Sequence, residues 1–155
     1  MNYHSHWMPG CRIELETFQR MADFEHIMAI KWNTPEDVPY ESMSGLTPYF
    51  NILDNSNQPV RCMKNGGDGF LDHQATAYPV YELRILELLE SRQYDEAQKM
   101  WDDLTVPLDK LYREFALVSG GQARLKKGVM AAMGQPVGSQ RPPSLPLTES
   151  EMNQI

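Results

Sequence analysis

The sequence predicts an α/β fold built on a short parallel sheet, and three observations carry that expectation. The first is the run His26-Ile27-Met28-Ala29-Ile30-Lys31, four apolar residues leading into a lysine, followed by Asn33-Thr34-Pro35. An apolar run without polar alternation reads as a strand buried on both faces, as in a parallel sheet. The second is the alternation of helix-like and strand-like patterns as far as Leu71. The third is a change of character after Pro79, where helical patterns follow one another with no strand between them.

The chain has 155 residues, 41% hydrophobic and 23% charged, which suits one globular domain with a real core. Its formal net charge of -7 argues against a surface that tracks nucleic-acid phosphates. No apolar run approaches the roughly 20 residues of a bilayer span, so no membrane partner is expected. The N-terminal segment Met1-Asn2-Tyr3-His4-Ser5-His6 has neither a basic start nor an apolar core, so it is not a signal peptide and a cytoplasmic location is expected. Cys11 and Cys62 form no metal-type spacing and no disulfide framework.

Taken in order, residues 1–12 read as irregular. Leu15, Phe18, Met21 and Ala22 are spaced as one face of a helix within Glu14–Phe24. The strand His26–Lys31 follows. Thr34 as N-cap and Pro35 at the first helical position predict a helix to about Ser44, bent or broken by Pro39 and ended by Gly45. Tyr49–Leu53 reads as a second strand, closed by the turn residues Asp54-Asn55-Ser56-Asn57. A short helix over Gln58–Asn65 and a glycine-led third strand at Phe70-Leu71 complete the alternation. Pro79–Ser91, Asp95 to about Val118 (bent at Pro107) and Gln122–Met133 are then helical. A proline-rich extended tail, Gln140–Leu147, leads to Thr148-Glu149-Ser150-Glu151, a capping box for a last helical turn. The organisation expected is a sheet region over residues 1–78 and a helical region over 79–155.

Lys31 is the candidate for chemistry. α/β proteins of the barrel type place their sites at the C-terminal ends of parallel strands. A lysine buried there loses the solvation of its ammonium form and becomes available as a nucleophilic amine. The plainer alternative is a strand-end lysine that reaches solvent. Three strands by themselves leave long edges and no closed fold, and a (β/α)8 barrel needs about 250 residues, so the chain reads as part of something larger.

In ordered series the chain resembles the C-terminal half of the dihydrodipicolinate synthase / N-acetylneuraminate lyase family, Schiff-base lyases acting on pyruvate and other 2-oxo acids. The residues that carry the resemblance are Tyr3, Gly10-Cys11, Glu16-Thr17, Ile27–Lys31, Gly67-Asp68-Gly69-Phe70-Leu71, Asp95-Glu96-Ala97 and Arg141-Pro142-Pro143. The resemblance implies the C-terminal part of a TIM barrel, strands 6–8 with the end of strand 5, followed by a helical extension. It implies that Lys31 forms an imine with the substrate and that Tyr3, one βαβ step of about 30 residues upstream, relays protons. Asp54, Asn55, Leu71 and His73, at the ends of the following strands, would line the substrate pocket. The imine itself is the electron sink, so no cofactor and no metal are expected. The expected partners are a 2-oxo acid and either further copies, in a dimer or tetramer, or the missing N-terminal half-barrel.

The chain also departs from the family. After the tyrosine stands His4-Ser5-His6 in place of the usual Asn or Asp, a residue, then Pro, and Met8 stands where dihydrodipicolinate synthases carry an arginine. The departures argue against dihydrodipicolinate synthesis. The family's carboxylate-binding Thr/Ser pair belongs to the first half of the barrel, so a truncated product, or a half-barrel needing a partner, is expected. Three other readings stand beside this one. The chain is a non-catalytic half-barrel that only associates with other chains. Or Glu87–Ala97 belongs to a tetratricopeptide-like interaction module, although one copy without a 34-residue period makes no array. Or His4, His6 and Cys11, with His26 or His73, bind a metal.

Overall fold

A computed structural model describes residues 13–34, 36–72, 74–119, 121–135 and 137–155. The chain divides into two compact units, Met1–Asp72 and His73–Ile155.

The first unit is a three-stranded parallel sheet in the order β1 (Ala29–Trp32), β2 (Asn51–Asp54), β3 (Gly69–Phe70). Ile30 pairs with Ile52, Lys31 with Leu53 and Trp32 with Asp54; Leu53 in turn pairs with Gly69 and Asp54 with Phe70. Helix α1 (Leu15–Met21) precedes β1, and α2 (Pro59–Lys64) joins β2 to β3. Pro59 opens α2 at a position whose N–H needs no partner, and Val60 and Cys62 face inward. Gly66 adopts φ +86°, and at Gly67 a Cβ would overlap the Cys62 sulfur, so the return into β3 requires both glycines. Asp68 then sets the register of β3: its carboxylate accepts from the Ile52 N–H (2.9 Å) while its own N–H donates to the Ile52 carbonyl (2.9 Å).

Three local expectations are corrected. The first strand begins at Ala29, not His26. The Ile27 N–H turns back to the Phe24 carbonyl, His26 is exposed beside Glu25, and the ladder starts where the Asn51 N–H reaches the Met28 carbonyl at 2.9 Å. That strand is also not buried on both faces. Ile30 and Trp32 are buried, whereas Ala29 and Lys31 are half-buried. Thirdly, the helix expected from Thr34 is absent from the described residues of that stretch. Pro39 is extended (ψ 132°), and a 3₁₀ helix runs from Tyr40 to Gly45. Tyr40, Met43 and Leu46 are all buried, a spacing of three that the 3₁₀ pitch lays along one line and the α pitch does not. Together with Phe18, Ile30, Trp32, Phe50, Ile52 and Cys62 they form the core on one face of the sheet.

The second unit holds α3 (Pro79–Glu90), α4 (Tyr94–Met100), α5 (Val106–Ala116), α6 (Gln122–Ala132) and α7 (Glu149–Met152). The long helix expected over Asp95–Val118 is interrupted by a π turn at Trp101–Thr105. Pro107 has no N–H to give the Asp103 carbonyl, and the wider turn absorbs that gap one step upstream. The Tyr81 hydroxyl, from α3, donates to the Met100 carbonyl (2.6 Å) and meets the Thr105 hydroxyl (3.2 Å). The capping box at α7 forms as expected, with the Thr148 hydroxyl accepting from the Glu151 N–H and the Glu151 carboxylate accepting from the Thr148 N–H. No helix among the described residues is long and apolar enough to cross a membrane.

Candidate active site

The sheet has two unlike faces. Ile30, Trp32, Ile52 and Asp54 point into the core; Ala29, Lys31, Asn51 and Leu53 lie on the other face, half-buried or exposed. Lys31 therefore stands near the C-terminal end of β1 on the more open face, between Ala29 and the chain leaving the strand. Trp32, one residue on, lies behind the sheet, its ring 6.1 Å from that of Phe18.

The ladder continues past the strands' ends. The Asn55 N–H donates to the Trp32 carbonyl (2.8 Å) and the Leu71 N–H to the Asp54 carbonyl (2.8 Å). These bonds draw the ends of all three strands together. By the alternation of side chains, Asn55 and Leu71 continue the face that carries Lys31, and both are half-buried. Of the residues expected at the site, these three share one face of the sheet.

Asp54 does not share it. It is 1% exposed and lies on the core face, in register with Trp32. One carboxylate oxygen accepts from the Tyr40 hydroxyl (2.8 Å) and the Ser56 N–H (3.0 Å); the other accepts from the Gln58 N–H (2.8 Å). Burial pushes its carboxyl upward and the three donors pull it back. Burial, and then the neighbouring carboxylate, also raise the Tyr40 phenol well above its ordinary range, so it stays protonated and donates. Burial likewise pushes the Cys62 thiol up to about 11, which leaves it an inert core group. Nothing in the sequence around Tyr40 singled it out. It reads as one more residue of a helix after Pro39, and only the fold brings it to Asp54.

Tyr3 and His73 lie outside the described residues, as do His4, His6 and Cys11. Among the described residues no three His, Cys, Asp or Glu side chains are grouped to hold a metal ion.

No family model and no curated protein matches the sequence. Solved structures do. The chain is similar to dihydrodipicolinate synthase from Acinetobacter baumannii complexed with pyruvate (19% identity, TM-score 0.75), covering 97% of this chain and 50% of that one. It is similar to a Sulfolobus 2-keto-3-deoxygluconate aldolase (21%, TM-score 0.75), covering 98% and 50%. It is similar also to N-acetylneuraminate lyase from Fusobacterium nucleatum (18%, TM-score 0.77), covering 98% and 50%. The chain thus has the fold of about half of these enzymes, consistent with their C-terminal half, and it spans about half their length. The likeness runs through the helical region as well as the sheet.

Proposed function

We propose that this chain is the C-terminal barrel half of a Schiff-base-forming lyase, and that Lys31 is its reactive amine. β1, β2 and β3 are then barrel strands 6, 7 and 8. The observation that supports this most is the place of Lys31 near the C-terminal end of a parallel strand, on the open face beside Asn55 and Leu71. The substrate class is pyruvate or a related 2-oxo acid, including sugar acids.

The neutral Lys31 amine adds to the 2-oxo carbon; the former carbonyl oxygen takes one proton from the amine and one from solvent and leaves as water, giving a protonated imine. The hydroxyl on the far side of the C–C bond then gives up its proton, its carbon leaves as an aldehyde, and the electron pair of the broken bond flows into the imine to form an enamine. Protonation at carbon and hydrolysis then free the product and the lysine; the reverse order gives condensation. The imine is the only electron sink required, so no cofactor is assigned. Tyr3 would relay the protons, and Asn55, Leu71 and His73 would meet the substrate. The carboxylate of Asp54, held behind the sheet, supports the rim. The half-open lysine face is completed by the other barrel half, as a separate segment or in an assembly of chains.

Borohydride reduction in the presence of pyruvate tests this reading, with intact mass and peptide mapping on wild type and Lys31→Ala. A reduced adduct confined to Lys31, and absent from the variant, is the expected result. A folded wild type that gains no adduct overturns it and favours the second reading, a non-catalytic half-barrel. That second reading draws its support from the chain spanning only half the length of the enzymes it resembles.

A further inference from the structure

We propose that Tyr40 and Asp54 form a latch on the back of the sheet that positions the two loops around Lys31. The inference rests on the lysine reading above and assigns positioning residues to it.

The latch is a continuous circuit. The loop after β1 enters it twice: the Tyr40 carbonyl accepts from the Trp32 indole N–H (3.2 Å), and the Tyr40 hydroxyl donates to Asp54 (2.8 Å). The loop after β2 is then closed by the Asp54 carboxylate, which accepts from the Ser56 and Gln58 backbone N–H groups. The Ser56 hydroxyl crosses back to the Asn33 side chain at 2.9 Å, joining the two loops directly. Arg61 locks the far side. Its guanidinium lies 4.9 Å over the Tyr40 ring and donates to the Gln58 side chain at 2.7 Å.

Each link has a consequence for the lysine. Trp32 follows Lys31 directly, so fixing the indole fixes the end of the strand that carries the amine. Asn33 and Asn55 are the first residues beyond the strands, where a substrate at Lys31 would meet the rim. Imine formation needs the amine and the 2-oxo carbon held in attack geometry, and a displacement of about 1 Å costs on the order of a hundredfold in rate. A buried carboxylate with three donors, each from a different place in the two loops, holds such a geometry without touching the substrate.

The test combines backbone hydrogen exchange with the rate of borohydride trapping at saturating pyruvate. Tyr40→Phe removes one hydroxyl and keeps the ring beneath Arg61. The expected result is exchange at Ser56 and Gln58 faster by about tenfold, unchanged exchange in α3, and trapping slower by about tenfold. The half-saturating pyruvate concentration should move far less, because the latch orients the amine rather than binding the acid. Asp54→Asn should act more strongly, since its amide group cannot accept from both loop N–H groups. Ser56→Ala, which loses only the link to Asn33, should slow trapping by about threefold, and it decides the matter if Tyr40→Phe does not fold. Variants with wild-type exchange overturn the latch. Variants with faster exchange but wild-type trapping overturn its positioning role. A folded wild type that is never trapped overturns the lysine reading and this inference together, whereas a trapped wild type with unaffected variants overturns this inference alone.

Discussion

At the scale of single residues, two buried polar side chains organise the molecule, one in each unit. Asp54 holds the loops after β1 and β2, and Arg124 holds the C-terminal tail. Arg124 is 1% exposed and uses its whole guanidinium fork. It donates to the carbonyls of Phe115 (2.9 Å), Leu145 (3.0 Å) and Pro146 (3.0 Å) and to both oxygens of Glu151 (3.0 and 2.8 Å). Removing it leaves three carbonyls and a carboxylate short of a donor. Arg124→Ala should therefore cost about 3–5 kcal/mol, and Arg124→Lys should recover little of that, because an ammonium cannot reproduce the fork. Denaturant unfolding measures both. The pH dependence follows from the partner. The Thr148 N–H first, and then Arg124, hold the Glu151 carboxyl below the ordinary glutamate range. A depressed carboxylate contributes stability above its unfolded pKa of about 4.3 and loses it as pH falls through the lower folded value. Melting of the helical unit should thus fall more steeply below about pH 4.3 in wild type than in Glu151→Gln. Equal slopes would remove Glu151 from the account.

At the scale of elements, the chain is shaped by where a regular period is interrupted. The 3₁₀ helix Tyr40–Gly45, the π turn Trp101–Thr105 and the Gly66-Gly67 return each follow from one local constraint. The tightest is at Gly67, where a Cβ would collide with the sulfur of Cys62 in α2. Gly67→Ala should destabilise the sheet unit by about 1–3 kcal/mol through overpacking. Cys62→Ala removes the atom in the way, so the double variant should lose less than the two single losses added together. A strictly additive cycle in denaturant unfolding would place the strain elsewhere. Gly128 plays a comparable part in α6, where a Cβ would overlap the ends of Leu147 and Ile155 as the tail crosses the helix. Most elements were legible in the sequence, because helix α3, the capping box at Thr148 and the glycine-led third strand have strong local signals. The helix expected from Thr34 was not, because its start signal was sound and its outcome was decided by Pro39 and by a core that needs residues three apart.

At the scale of the whole molecule, the lysine-bearing face is the less covered side of the sheet. Its β1 and β2 residues are half-buried or exposed, while the opposite face is filled by the core. In the enzymes it resembles, the chain accounts for about half of each structure. If the remaining half of the pocket comes from assembly between chains, trapping per chain should rise with protein concentration. It should do so over the same range in which sedimentation shows association. A rate per chain that stays flat across that range argues against completion by a second copy.

The sequence by itself determined the order of the three strands and of most helices, the lysine near the end of the first strand, and the resemblance to the 2-oxo-acid lyases. These are written in local periods, in turn residues and in spacing along the chain. Only the tertiary structure decided which face each site residue occupies. In a strand without polar alternation, composition does not mark the two faces, and a shift of one residue exchanges them. The pairing of Lys31 with Leu53 and of Trp32 with Asp54 placed the lysine on the open side and the aspartate in the core. Tyr40 and Arg124 stayed invisible for the same reason. Their partners are distant in sequence, and a polar side chain reveals a buried role only when the fold brings donors and acceptors to it.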